Sequence, residues 1–173
     1  MLKNLDPLLT PELLYVLRAM GHGDVLTIVD RNFPADSVAS TTVHGSLIRL
    51  DGAGIPEAAR AVFSVFPLDS FVDAPIHYME VVGEPETILE VHKDLHNIAL
   101  ENSHREWKME SVERHEFYAQ SRNTYAVVST SETRPYGCFM VTKGVIGADG
   151  KVFLLKKAIY RVGFKRTISM GLK

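Results

Sequence analysis

A histidine set between two glycines is the most chemically suggestive feature of the sequence. Met20-Gly21-His22-Gly23-Asp24 runs directly into Val25-Leu26-Thr27-Ile28-Val29-Asp30. With a glycine on either side, the imidazole of His22 is little crowded by neighbouring side chains, as a group that must meet a substrate should be. Imidazole as a group, with an ordinary pKa of about 6.5, suits taking and returning a proton near neutral pH. Asp30 closes the apolar stretch with a carboxylate that could accept hydroxyl hydrogen bonds or set the imidazole's polarity. Taken alone, the same residues also make a glycine helix cap, a loop histidine and a strand-ending turn.

Other polar clusters carry less. His92-Lys93-Asp94-Leu95-His96 places two histidines four apart, a spacing that can hold a metal on a helix. The central Glu of the zinc-protease pattern is absent and no third ligand is identified, so both histidines are read as lying on a wet helix face and no metal is expected. Neither the Walker pattern nor Gly-x-Gly-x-x-Gly occurs, which argues against nucleotide use. Cys138 has no specific base beside it and reads as a packed strand residue.

Behind these residues stands an alternation of helices and strands. Thr10-Pro11-Glu12 is a helix start with a hydroxyl cap, proline at the first position and an acid in the first turn. Leu13, Leu14, Leu17 and Met20 recur at helical spacing up to Gly21. Val25 to Val29 is apolar on both faces, as in a strand covered by helices, and Asn32-Phe33-Pro34-Ala35 reads as a turn. Further strands are expected at Ser46–Leu50, Ile76–Val82, Met109–Val112, Tyr125–Val128 and Cys138–Val141. Helices are expected from Pro56 to Pro67, from Pro85 to Asn102 with Ile88, Val91, Leu95, Ile98 and Ala99 inward, and briefly from Arg114 to Tyr118. Ala148-Asp149-Gly150-Lys151 has hairpin-turn chemistry that would pair the neighbourhood of Val145 with Val152–Leu155. The pattern predicts a single-domain α/β layered fold, a central sheet with helices on its faces.

The chain of 173 residues is 46% apolar, enough for one core. No apolar run reaches the ~18 residues of a membrane span. The first ten residues lack a basic segment followed by a long apolar run, so no secretory signal is expected. A single cysteine excludes an internal disulfide. These features point to the cytoplasm and to no membrane partner. The net charge of -2 hides an asymmetry. Lys151, Lys156, Lys157, Arg161, Lys165, Arg166 and Lys173 meet no acid after Asp149. Apolar residues interleave with them, a pattern of a segment lying on an acidic surface of its own or a neighbouring subunit rather than of a nucleic-acid module.

The Met20–Asp24 stretch, Asp30 with Asn32-Phe33-Pro34-Ala35, Arg114-x-x-Phe117-Tyr118 and Tyr136-Gly137 resemble the fucose mutarotase branch of the RbsD/FucU sugar mutarotase family. Thr10-Pro11-Glu12-Leu13-Leu14 and Val65-Phe66-Pro67-Leu68-Asp69 recur in the same order, and the resemblance spans about residues 1 to 145. It implies interconversion of the α and β anomers of L-fucose without metal or organic cofactor, in an RbsD-like α/β fold. It also implies assembly into a homo-oligomer, as in the decameric rings of bacterial relatives. By matching motif positions, His22 would be the catalytic proton donor. Asp30, Arg114, Tyr136, Gly137 and Cys138 would bind the sugar, with Tyr118 near them. The ribose pyranase branch usually has Thr after the His and lacks Arg-x-x-Phe-Tyr, so Gly23 and Arg114 favour the fucose branch.

Two departures stand out. Cys138 replaces the family's usual Asn, exchanging a good hydrogen-bonding side chain for a poor one. Residues 146–173 continue past the family's usual end as a basic C-terminal extension, packed on the body or on a neighbouring subunit. Spacing sets a further condition, because eight extended residues would put His22 and Asp30 roughly 26 Å apart. Either the His22 loop folds back beside the strand or the two residues serve different edges of a pocket between subunits; the second is favoured. A ribose-type pyranase or another aldose mutarotase, and a non-catalytic sugar-binding regulator, are the alternative functions.

Overall fold

A computed structural model describes residues 2–103 and 105–155. The expectations for the basic tail from Lys156 onward lie outside the described residues. Eleven elements follow in order: α1 Pro11–Ala19, β1 Val25–Val29, α2 Ala35–Ala39, β2 Leu47–Leu50, α3 Ile55–Phe63, β3 Ile76–Met79, α4 Glu90–Ser103, β4 Met109–Val112, α5 Arg114–Ser121, β5 Ala126–Thr130 and β6 Phe139–Thr142. The strands form one mixed sheet in the order β2-β5-β1-β6-β3-β4. β1, β5 and β2 run parallel, as do β3 and β4, while β6 lies antiparallel between β1 and β3.

The two-residue period of the strands sorts the core into two layers. Leu26, Ile28, Ala126, Val128, Phe139 and Val141 join Leu13, Val62 and Leu95 of α1, α3 and α4 on one face. Val29, Val127, Cys138 and Met140 join Val38 and Phe117 of α2 and α5 on the other. The central strands are therefore apolar on both faces, as expected, and the α/β layered fold is confirmed. Among the described residues no helix is long and apolar enough to cross a membrane.

α1 begins as its sequence predicts, with Thr10 Oγ1 accepting from Leu13 N. Three readings are corrected. Ala35 opens α2, where a turn was expected. α4 starts at Glu90 rather than Pro85, because Val81 bridges Glu84 around Gly83 at φ 81°, which leaves Ile88 outside the helix and exposed. His92 is not on a wet face but fully buried. Its Nε2–H donates to the Tyr136 carbonyl at 3.1 Å and its Nδ1 accepts from Leu89 N at 3.3 Å. His96 bonds the Trp107 carbonyl instead of facing a shared ligand with His92.

Candidate functional site

The structure places the expected site residues at opposite ends of β1. At its amino end, Gly23 N donates to Lys143 O and Lys143 N to Asp24 O, both at 2.9 Å, so the His22 loop continues the β1–β6 ladder. It does not fold back toward Asp30. Lys143 Nζ donates to the Leu17 and Met20 carbonyls, capping α1 and fixing where the chain enters the loop. Burial holds this ammonium below the usual lysine range, and Arg18 adds to the effect. On the other edge of β6, Asp69 N donates to Thr142 O and Gly144 N to Pro67 O. A Cβ on Gly144 would collide with the Leu68 backbone, so this close approach requires glycine.

These two flanks bring His22 and Asp69 together above the end of β6. His22 Nε2 lies 3.2 Å from Asp69 Oδ2. The Asp69 side chain is 2% exposed and the His22 side chain 46%. Asp69 is fixed by its other oxygen, which accepts from Phe71 N at 2.9 Å. When Nε2–H donates to this carboxylate, Nδ1 is left as the accepting nitrogen of a neutral ring. An imidazole with one side on a buried carboxylate and the other open to solvent is suited to moving a proton. A cavity of 610 Å³ lies beside it, lined by Leu14, Met20, Pro67, Lys143 and Ile146 as well as His22.

The remaining candidates gather at the carboxyl end of β1. Buried Asp30 accepts from Asn32 N at 2.8 Å and from Gly137 N at 3.2 Å. Tyr136 adopts φ 62° there, and its phenol oxygen accepts from Val82 N at 3.4 Å. Tyr118 packs on Phe33 with ring centroids 5.4 Å apart. Burial pushes its phenol up, Cys138, Asp30 and Tyr136 push the same way, and Arg114 opposes them. Asp30, Arg114, Tyr118, Tyr136 and Cys138 thus share one electrostatic neighbourhood. Arg114 Nε is buried with no hydrogen-bond partner among the described residues. Burial raises the Cys138 thiol well above its ordinary range, which makes it a packed thiol rather than a nucleophile. A 640 Å³ cleft lined by Asp30, Arg31, Phe33, Arg49, Asp51 and Ser131 opens at this end.

The sequence pattern of the RbsD / FucU transport protein family matches residues 3–146. The chain belongs to the RbsD/FucU family. Within this family it is 41% identical over 150 residues to the fucose mutarotase of Danio rerio, covering 84% of this chain and 94% of that one. FucU from Bifidobacterium longum superposes with a TM-score of 0.77 at 36% identity, over 84% of this chain and all of that one. The fucose mutarotase of Streptococcus pneumoniae, solved in complex with L-fucose, gives 0.75 at 34% identity, again over 84% and 100%.

Two residues of this RbsD/FucU chain escaped the chemical reading of the sequence. Asp69 was visible in Val65-Phe66-Pro67-Leu68-Asp69, yet nothing local signals that it reaches a histidine 47 positions earlier. Glu132 is buried and gathers Thr133 N, Arg134 N, Ile55 N and the Arg134 guanidinium around one carboxylate. It thereby braces the loop that carries Tyr136 and Gly137.

Proposed function

We propose that the protein is a sugar mutarotase that interconverts the α and β anomers of L-fucose, with His22 as its proton shuttle. The observation that carries this is the half-exposed imidazole held on buried Asp69, in a chain whose relatives are named fucose mutarotases. Nδ1 of His22 takes the proton of the anomeric hydroxyl, and the buried Asp69 carboxylate stabilises the imidazolium that forms. The same proton goes to the ring oxygen as the bond from that oxygen to the anomeric carbon breaks, giving the open aldehyde. Rotation about the bond next to the aldehyde and the reverse transfers close the ring on its other face. One proton moves out and back with no net change, so acid–base chemistry suffices for the whole cycle.

Orientation of the sugar falls to the other cluster. Asp30, Arg114, Tyr118, Tyr136, Gly137 and Cys138 are the groups we assign to hydroxyl recognition, with the Arg114 guanidinium as a donor to a sugar oxygen. Gly137 and Lys143 mark the two ends along β6, about 20 Å apart at about 3.4 Å per residue. A monosaccharide cannot bridge that within one chain. We therefore read the working site as completed by a second copy, which brings its own Arg114 cluster toward His22, in a cytoplasmic homo-oligomer.

Saturation-exchange NMR on L-fucose tests the assignment. Wild-type protein is expected to exchange the anomers rapidly, and His22→Ala to fall by roughly 10²-fold or more, the usual contribution of a positioned acid–base group. Equal rates would remove His22 from the chemistry, and binding of L-fucose without exchange by the wild type would make the protein a sugar-binding relative instead.

A further inference from the structure

The family match ends at residue 146, and the residues that follow return to the loop whose Phe71 contacts His22. Gly147 N donates to Lys151 O at 2.7 Å, turning the chain back so that Phe153 N donates to Val145 O at 2.7 Å. The returning segment docks on the loop after Asp69. Ser70 Oγ donates to the Phe153 carbonyl at 2.9 Å and accepts from Leu155 N at 2.8 Å. Alternation along extended chain divides its side chains. Val152 and Leu154 line a 300 Å³ cavity with Phe63, Phe66 and Trp107. Phe153 instead stacks on Phe71, with ring centroids 5.8 Å apart and planes at 20°. Phe71 in turn contacts the His22 imidazole at 5.0 Å. Phe71 and Phe153 remain 44% and 47% exposed.

Two large rings left half open in a row that ends on the imidazole are an apolar surface beside His22. We propose that Phe153, acting through Phe71, is a positioning residue for an apolar wall that makes the site prefer 6-deoxy sugars to their 6-hydroxy counterparts. This rests on the mutarotase reading above. In an aldopyranose the C5 substituent lies two bonds from the ring oxygen that His22 protonates. A ring packed on His22 therefore meets that substituent. In L-fucose it is a methyl group, which gains by leaving water for an aromatic face. In L-galactose, which is L-fucose with a hydroxyl on C6, the added hydroxyl would lose its water against carbon with no partner offered. Phe71 stands on a loop, and Phe153 from the extension stacks on its ring.

The test compares exchange of L-fucose and L-galactose by wild type, Phe153→Ala, Phe153→Tyr and Ser70→Ala. Phe153→Ala is expected to lower the kcat/KM preference for L-fucose about fourfold, roughly the transfer value of one buried methyl. The loss should appear in KM for L-fucose, with kcat on L-galactose unchanged. Ser70→Ala, which removes the two hydrogen bonds to Phe153 and Leu155 but keeps both rings, should move the preference the same way, and Phe153→Tyr should retain it. Rapid exchange of L-fucose with the same preference in wild type and Phe153→Ala overturns the wall and leaves the mutarotase reading standing. A loss of preference in Phe153→Ala that Phe153→Tyr shares also overturns it. A wild type that exchanges neither sugar ends both.

Discussion

At the scale of single residues, His22 depends on Asp69 more than on Asp30. Asp30 lies at the far end of β1, where it accepts from the backbone N–H groups of Asn32 and Gly137. Asp69 meets the imidazole directly from a buried position. An amide in its place keeps the size but can donate to Nε2, which would move the ring proton to Nδ1 and remove the accepting nitrogen from the substrate side. Asp69→Asn is therefore expected to lower kcat for anomer exchange by roughly 10²-fold or more while KM changes by less than about threefold. Thermal unfolding measured alongside separates this from damage to the fold. An unchanged kcat would show that His22 works without the carboxylate.

At the scale of elements, the loop between β5 and β6 is braced by the chain's own ion pairs. Glu132 accepts from the Arg134 guanidinium at 2.8 and 2.9 Å, and Arg134 also reaches Asp94 of α4 at 2.7 Å. The Arg134 hydrogen bonds hold the Glu132 carboxyl down to about 2, from an ordinary 4.5. A carboxyl depressed in this way contributes stability that is complete above about 4.5 and fades as the pH falls toward about 2. Glu132→Gln should accordingly lower the unfolding free energy by roughly 2–3 kcal/mol at pH 7. Urea unfolding at a series of pH values should show the gap from wild type closing between those limits; a gap of constant size would exclude the ion pair as its source. This brace also marks how far the sequence was legible. Local signals located α1, the strands and the glycine-flanked His22, because caps and periodicity are properties of adjacent residues. The five residues of α2 follow turn chemistry and are held by packing on β2 and β5 rather than by propensity. The burial of His92 depends on the Tyr136 carbonyl, and the role of Asp69 on two segments flanking β6. None of these partners can be seen from the neighbouring sequence.

At the scale of the whole molecule, β1 separates the two clusters on which the proposed function rests. His22 on Asp69 lies at the amino end, and Arg114, Tyr118 and Tyr136 lie around Asp30 at the carboxyl end. The ladder from Val25 opposite Thr142 to Ile28 opposite Phe139 is continuous, so no small adjustment of the chain brings the ends together. A head-to-tail ring would join the amino end of one copy to the carboxyl end of the next, a heterologous contact that closes by rotation. This arrangement predicts complementation. His22→Ala and Arg114→Ala homo-oligomers should each be nearly inactive in anomer exchange. Dissociated together and reassembled at equal concentrations, they should regain about a quarter of the wild-type site count, because that share of random interfaces unites an intact His22 with an intact Arg114. If each site lay within one chain, every protomer in the mixture would still carry one of the two defects, and the reassembled sample would stay as inactive as its parts.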